Sequence, residues 1–444
     1  MRNILLFGAG RSASTLIKYF LDNSFNEQWK IIVVDASQEL AQQKIGSHEN
    51  GVALGLDIHD DDQRRFLIAG AHIVISMLPA ALHYLVAQDC LLQKRNLVTA
   101  SYVSNEIALL NDEAIKNDIL IMNECGLDPG IDHLSAMKII HELKRQGNEL
   151  TSFKSYTGGL VAPESNDNPW GYKFTWNPRN VIIAGQGIAK YIENSLYKYI
   201  PYNRLFTQIE KISVDGYGSF DGYANRDSLA YRHHYGLEKI PTMLRGTLRY
   251  EGYCKAWDVF VRLGLTDDSF QIEQSEKLTY AQVLESFLPA SIKGSKLSDR
   301  IKKFYGDKIT DEIIDKIMWT GIAEPVKTNL PNATPAQILQ QLLEQKWKLN
   351  EGDKDMVVMV HQFEFKNEES VKGKMTSTLV VKGDDTTHTA MSKTVGLPLA
   401  IVTKNILNGK IKSKGVKIPV DAEVYNPVLD ELANYGIVFS EKNG

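Results

Sequence analysis

Cysteine is scarce in this chain: Cys90, Cys125 and Cys254 are the only three in 444 residues, widely spaced and without a CxxC. An odd, scattered set rules out a disulfide framework and offers no zinc-binding spacing, so no metal is expected and the thiols read as reduced ones of a cytoplasmic protein. An excess of one charge is also missing. The 50 basic and 54 acidic residues leave a net charge of −4. No basic cluster stands out, which argues against nucleic acid or a membrane surface as partner. No apolar run exceeds strand length, so nothing is long enough to cross a bilayer. Repeats and low-complexity stretches are absent. The N-terminal apolar run carries one arginine and flows straight into a glycine turn, so it reads as part of the fold and not as a signal peptide. The length allows two or three domains with substantial cores.

What is present begins at once. Ile4 to Phe7 is an apolar run, followed by Gly8-Ala9-Gly10-Arg11-Ser12-Ala13, an amphipathic stretch through Leu16, Ile17, Phe20 and Leu21, and a second apolar run from Ile31 to Val34 that stops at Asp35. This order, strand, glycine turn, helix and strand ending in an acid, is the fingerprint of a dinucleotide site. Gly8 permits the tight turn, Gly10 lets backbone approach a pyrophosphate, and Ala13 allows close helix–strand packing. The pyrophosphate oxygens then meet the amides at the helix N-terminus. The Asp35 carboxylate can accept hydrogen bonds from adenosine ribose hydroxyls. A 2′-phosphate in the same place would meet like charge, which typically costs several kcal/mol. Ala36 and Ser37 offer no cation, so the expected cofactor is NAD. The competing reading makes Asp35 a cap for the next helix.

Strands and helices alternate through the first 130 residues, with polar residues at the expected strand ends: Asp57, Ser76, Ser101-Tyr102 and the turn after Asn123. Alternation of this kind predicts a doubly wound parallel sheet with ligands at the strand C-termini. From about Leu150 longer β segments with glycine and aromatic turns predict a mixed sheet. Between about Gln274 and Asn350 apolar residues recur at three- and four-residue spacing, the mark of helices. The expected fold class is α/β, a doubly wound sheet plus a mixed-sheet α+β domain with a helical insertion. The expected domains are 1–128 for the dinucleotide, with a C-terminal helix 389–408 packing back on it, 129–273 with 353–385 for the mixed sheet, and 274–352 for the helical insertion. A Gly396-Leu397-Pro398 break is expected in the tail helix.

Chemistry concentrates in three places. Gly126-Leu127-Asp128-Pro129-Gly130 leaves the sixth strand, and Asp128 is either a ligand or proton-transfer group, or the N-cap of the helix that follows; His133, within that helix, reads as structural. Asn225-Arg226-Asp227-Ser228 and Arg245-Gly246-Thr247-Leu248-Arg249-Tyr250 are rich in donors for carboxylates. Arg245 and Arg249 are four apart in a strand, hence on one face, and arginine suits two-point binding of carboxylates. The third is Trp170 to Trp176, where Trp170, Tyr172 and Phe174 surround Lys173; such aromatics can wall off a nicotinamide, mark an interface or form a surface cluster.

The segments SYVS (Ser101 to Ser104), NECGLDPGIDH (Asn123 to His133), YTGGLVAPESNDNPWGYKFTW (Tyr156 to Trp176), YANRDS (Tyr223 to Ser228) and RGTLRY (Arg245 to Tyr250) resemble the L-glutamate-forming saccharopine dehydrogenases, in order and spacing, over essentially the whole chain. The resemblance implies a variant Rossmann domain, a mixed-sheet domain that forms a homodimer, and a helical domain. It implies oxidation of saccharopine, a lysine joined through its side-chain nitrogen to a glutamate skeleton, to glutamate and 2-aminoadipate 6-semialdehyde. The implied substrate contacts are Ser101, Tyr102, Asp128, Arg226, Thr247, Leu248 and Arg249. The implied cofactor contacts are Gly8, Gly10, Arg11, Ser12 and Ala13, then Asp35, Ala36, Asp57, Ile58, Ser76, Tyr102, Val103, Leu127, Asp128 and Trp176. Asp128, Tyr102 and Lys173 are the acid–base candidates. Fungal relatives carry a cysteine where this chain has Thr157, and a basic residue where it has Asp35-Ala36. The resemblance therefore implies NADP where the local charge implies NAD. Two rivals are an oxidoreductase acting on another carboxylated secondary amine, of the carboxyspermidine type, and a catalytically idle NAD-binding scaffold. The paired arginines count against the first, and the intact Arg226 and Arg249 segments against the second.

Overall fold

The computed structural model describes residues 1–306 and 309–444 and divides into two compact units, Met1–Leu150 with Phe365–Gly444, and Thr151–Glu364.

The first unit is built on strands β1 (Arg2–Phe7), β2 (Trp29–Asp35), β3 (Gly51–Gly55), β4 (Ile73–Ser76), β5 (Asn96–Thr99) and β6 (Leu120–Met122). All are parallel, in the order β6-β5-β4-β1-β2-β3, and the strand Gly415–Lys417 extends the sheet beside β6. Strand order reverses between β1 and β4, where the open crevice of such sheets lies. Register sets Phe7 opposite both Val34 and Ser76, so the ends of β1, β2 and β4 are level. Ile4, Leu5, Leu6, Ile73, Val74 and Ile75 are fully buried, as expected for strands covered on both faces. Helices α1 (Ser14–Glu27), α2 (Gln38–Ile45), α3 (Asp61–Gly70) and α4 (His83–Gln93) provide that cover. Ser37 and Asp60 cap α2 and α3 with their side chains.

The boundary at 128 read from the sequence differs from this division. Helix Ile131–Arg145 belongs to the first unit, where His141 Nδ1 lies 2.9 Å from the Tyr425 hydroxyl of helix Ala422–Leu432. The expected break in the tail is also absent. Helix Ala390–Leu407 runs through Pro398. Gly396 serves packing: a Cβ there would come within 2.8 Å of Leu16 N on α1, so the two helices cross closely only because the position is glycine. Ser392 reinforces the crossing, accepting from Thr15 N at 3.0 Å. Gly396→Ala is expected to cost about 1–3 kcal/mol through overpacking, read as a lower melting temperature.

The second unit holds β7 (Glu149–Val161), β8 (Ile188–Glu193), β9 (Leu196–Pro201), β10 (Ile209–Val214), β11 (Gly218–Ala224), β12 (Thr242–Tyr250) and β13 (Asp355–Lys366). Its sheet is mixed, in the order β10-β11-β12-β7-β13, with β12 parallel to β7 and antiparallel to β11. Thr279, Thr310 and Thr334 cap helices Tyr280–Ser286, Asp311–Trp319 and Pro335–Lys346. Helix Leu297–Tyr305 begins without a side-chain cap. These helices are not a separate body, because Trp347 packs edge-on against Trp170, Tyr172 and Phe174. Trp170, Tyr172 and Phe174 are therefore core, 1–3% exposed, and neither a wall, an interface nor a surface cluster.

Candidate functional site

The glycine turn has the shape its residues predict. Gly8 has φ +102, and a Cβ there would meet Met77 O at 2.8 Å, so the turn can lie against the end of β4 only with glycine. Beyond Gly10 a Cβ would meet nothing within 4 Å. Gly10 leads into the short turn Arg11–Ala13 and Ala13 into α1, and no side chain caps either N-terminus. Open space beside uncapped helix amides is what a dinucleotide pyrophosphate requires, so the residues present fit that group.

Asp35 is tied into this turn. Its Oδ2 accepts from Ala9 N at 2.8 Å and its Oδ1 from Ser37 N at 3.0 Å. The cap of α2 is Ser37, whose Oγ accepts from Leu40 N, so Asp35 is not spent as a helix cap. Ala36 is exposed beside it, as is Arg11 at the glycine turn. Asp57 is exposed, with Oδ1 accepting from His59 N, and the Ile58 carbonyl accepts from the buried Arg64. Ser76 closes β4 and is fully buried, while Ser101, Tyr102 and Val103 are half-buried beyond β5.

The turn after β6 brings Asp128 to this edge. Helix Ile131–Arg145 starts from Gly130, and Asp132 Oδ1 accepts from the Gly130 amide at 2.6 Å. Gly130 has φ +148, and a Cβ would collide with the Gly126 backbone, which folds the loop tightly back on itself. Helix capping is thus handled without Asp128, and the capping alternative fails. Asp128 stays half-buried, with the Tyr102 hydroxyl 3.5 Å from its Oδ1. Leu127 is buried next to it.

The remaining expected residues lie in the second unit. Register places Thr157 beside Thr247, Thr247 opposite Tyr223 and Arg249 opposite Asp221, so all five share one face of the sheet. Arg249 is 4% exposed, yet it has no carboxylate partner among the described residues. Its Nη1 donates to Leu248 O at 2.9 Å, its Nε is unpartnered, and its guanidinium lies 5.2 and 5.5 Å from the Tyr172 and Tyr253 rings. Asp221 is turned elsewhere, accepting from Lys211 Nζ at 2.7 Å and Gly252 N at 2.9 Å. A buried guanidinium without an anion is costly, and chemically such an arrangement can receive a carboxylate. Thr157 Oγ1, also buried and without a partner, adds a donor to the same face. Arg245 is buried over the Tyr231 ring at 4.2 Å, and Arg226 is exposed. Trp176 is half-buried and donates from Nε1 to the Tyr172 hydroxyl at 3.3 Å.

Lys173 stands apart. Its ammonium pairs with Asp167 at 2.8 Å and Asp353 at 2.7 Å. Burial alone would lower its pKa, but those two carboxylates outweigh burial and raise it above the ordinary lysine value. An ammonium held so firmly in its charged form suits a clamp on the loop around Asp167 better than proton transfer.

Three residues escaped the reading of the sequence. Glu124, 4% exposed, accepts from Val103 N at 3.1 Å and bonds His133 Nε2 at 2.8 Å, stitching the Tyr102 segment to the Asp128 helix. His83 sits between Ser76 and Ser101. Lys44 reaches Ser14 Oγ at 2.5 Å, bringing a cation to the first turn of α1. A lone histidine or lysine on a helix carries no sequence signal; Glu124, the second residue of the NECGLDPG segment, is the one with a local signal.

The saccharopine dehydrogenase NADP binding domain model matches residues 4–122, and the saccharopine dehydrogenase C-terminal domain model matches 126–437. Saccharopine dehydrogenase [NADP(+), L-glutamate-forming] of Saccharomyces cerevisiae is 33% identical over 449 residues, covering 99% of each chain. The protein of the same name from Schizosaccharomyces pombe is 33% identical over 453 residues, covering 100% of this chain and 99% of that one. The solved structure of apo histidine-tagged saccharopine dehydrogenase (L-Glu forming) from S. cerevisiae superposes with a TM-score of 0.90, covering 100% of both chains. The chain belongs to the saccharopine dehydrogenase family.

Proposed function

We propose that the chain oxidises saccharopine with NAD(P)+ and water to L-glutamate and 2-aminoadipate 6-semialdehyde. The full-length relationship to L-glutamate-forming enzymes supports the reaction. The structural observation that carries it is Arg249, a buried guanidinium that lacks an anion, for a substrate with three carboxylates.

The bound dinucleotide supplies the hydride acceptor. Oxidation at the lysine ε-carbon leaves a C=N bond to the glutamate nitrogen. Water adds to that carbon, the C–N bond breaks, and glutamate leaves with the proton the water has lost. This needs one group to take a proton from water and another to deliver one to nitrogen. Asp128 and Tyr102, 3.5 Å apart at the strand ends, are the pair assigned to it. Arg249, with Thr247 and the Leu248 backbone, is assigned to a substrate carboxylate, and the exposed Arg226 to a second. The assay is direct: purified protein, saccharopine, and NAD or NADP supplied separately. Reduction of a dinucleotide with release of the semialdehyde is the expected result; no reduction of either removes the assignment.

Cofactor choice turns on Asp35. The yeast relatives carry NADP(+) in their names, and Lys44 adds a cation at Ser14. The Asp35 carboxylate, at the end of β2, opposes a 2′-phosphate directly, and on that ground NAD is the preferred cofactor. Asp35→Asn retains an acceptor for Ala9 N while removing the charge. It is expected to shift the ratio of kcat/KM values toward NADP by about tenfold or more, which corresponds to about 1.4 kcal/mol. An unchanged ratio would clear Asp35 of any part in the choice.

A homodimer is part of the same reading. In the second unit the β8–β9 hairpin exposes Ile188, Leu196, Tyr197 and Tyr199, each more than half accessible, an apolar concentration typical of an interface. Sedimentation equilibrium at the mass of two chains is the expected result. The buried free thiols Cys90, Cys125 and Cys254 support a reducing, cytoplasmic setting.

A further inference from the structure

Tyr102 is bracketed by a single residue. Glu124 donates from its backbone N–H to the Ser101 carbonyl at 3.0 Å, and its Oε1 accepts from Val103 N at 3.1 Å, so it grips the peptide on either side of the tyrosine. Asp128 is bracketed in the same way. Asp132 donates from its backbone N–H to the Leu127 carbonyl at 3.1 Å, and its Oδ1 accepts from Gly130 N at 2.6 Å. His133 stands between the two gripping carboxylates, with Nε2 2.8 Å from Glu124 Oε2 and Nδ1 3.6 Å from Asp132 Oδ2. Glu124, Asp132 and His133 are 4%, 1% and 0% exposed, so little water competes for these contacts. Glu124 also has φ +60, a conformation that residues other than glycine rarely adopt and that persists only where the surroundings fix it. Its two bonds to the Tyr102 segment and its bond to His133 supply that constraint.

We propose that Glu124 is a positioning residue. Through the bridge Glu124–His133–Asp132 it fixes the backbone of Tyr102 against that of Asp128, and so sets the separation across which the two side chains pass protons. The assignment rests on reading Tyr102 and Asp128 as the acid–base pair of saccharopine oxidation. Their oxygens are 3.5 Å apart, at the outer limit of a hydrogen bond, so a small further displacement of either segment parts them. Misplacement by about 1 Å can cost on the order of 100-fold in rate. Asp132 grips the Asp128 turn without help from Glu124. Loss of the Glu124 carboxylate therefore releases the Tyr102 side alone, and its effect on the reaction passes through Tyr102.

Two measurements test this. The first is kcat at saturating saccharopine and dinucleotide. Glu124→Leu, which removes both side-chain bonds, should lower it by about 30-fold or more. Glu124→Gln keeps an acceptor for Val103 N and places an amide on His133, so it should stay within about threefold of wild type. In a Tyr102→Phe background the Glu124→Leu change should cost less than about threefold, because the group it positions is already gone. An equal loss in both backgrounds would leave Glu124 a stabilising residue only and overturn the proposal, as would full turnover in Tyr102→Phe. If Glu124→Leu does not fold, Glu124→Asp replaces it: one methylene too short to reach both Val103 N and His133, it should lose about tenfold. The second measurement needs no turnover. In protein labelled with 13Cζ-tyrosine, the Tyr102 signal is identified by its loss in Tyr102→Phe. It should move when Asp128→Asn is introduced, and stay in place when the same change is made in the Glu124→Leu or Glu124→Asp protein. No movement in either background, or equal movement in both, would overturn the proposal. If wild-type protein oxidises no saccharopine, the functional reading fails, and this signal still decides whether Glu124 sets the contact between Tyr102 and Asp128.

Discussion

Asp128→Ala is expected to lower turnover by roughly 10²–10⁴-fold while leaving dinucleotide affinity nearly unchanged, the range typical for loss of a positioned acid–base group. The local structure explains why the effect should be confined to chemistry. Helix Ile131–Arg145 is started by Gly130 and Asp132. Glu124 anchors the neighbouring segment through Val103 N and His133. Neither depends on the Asp128 carboxylate, so its removal leaves the turn in place. The glycine turn from Gly8 to Ala13, which fits a pyrophosphate, follows a different strand and does not involve Asp128. Asp128→Asn, similar in shape but unable to act as a base at neutral pH, should be nearly as slow. Steady-state kinetics with saccharopine and fluorescence titration with the reduced dinucleotide separate the two quantities. Near-normal turnover in Asp128→Ala would remove this residue from the mechanism and leave Tyr102 without its partner.

Arg249→Met is expected to raise KM for saccharopine by about 30-fold to several thousand-fold, from the 2–5 kcal/mol that losing one side of a buried charge pair typically costs. Its effect on folding should be small, and magnitudes decide why. Burying a guanidinium costs several kcal/mol even after relaxation. Against that stand two ring contacts of up to about 2 kcal/mol each and one charge-assisted hydrogen bond of about 1.5–3 kcal/mol. The two sides nearly cancel in the free protein. Methionine fills comparable space between Tyr172 and Tyr253 without burying charge, so the melting temperature should stay close to that of wild type or rise. A structural arginine would behave in the opposite way, with a large fall in melting temperature and an unchanged KM. That outcome, measured by thermal denaturation and saccharopine kinetics on one preparation, would end the carboxylate-site reading.

The parts of this site legible in the sequence are those whose signal is local. Gly8, Gly10 and Asp35 announce themselves because a tight turn, a close approach and a strand-end acid occur in a fixed order within one βαβ unit. The face of Arg245 and Arg249 follows from strand alternation. What escaped notice depends on contacts between distant segments. His83 meets Ser101 across 18 residues and Glu124 meets Val103 across 21, and nothing near either residue marks it as part of a pair. Trp170, Tyr172 and Phe174 follow a polar loop, which suggests a wall, an interface or a surface cluster, whereas Trp347, far away in sequence, packs edge-on against all three. Pro398 suggests a helix break because proline's propensity opposes a helix interior, yet helix Ala390–Leu407 runs through it. In the fold, Gly396 lets that helix cross α1 closely, and burial holds it together. Lys173 is the clearest case of a residue whose type misled. A lysine among aromatics looks poised to titrate, but the fold supplies two aspartates that keep it charged.

The central claim is that this chain removes hydride from the lysine ε-carbon of saccharopine and releases glutamate. Saccharopine carrying deuterium on that carbon tests it most directly, with the reduced dinucleotide and the released amino acid analysed by mass spectrometry. Deuterium in the dinucleotide together with unlabelled glutamate is the predicted result. An unlabelled dinucleotide, or release of deuterated lysine in place of glutamate, would contradict it.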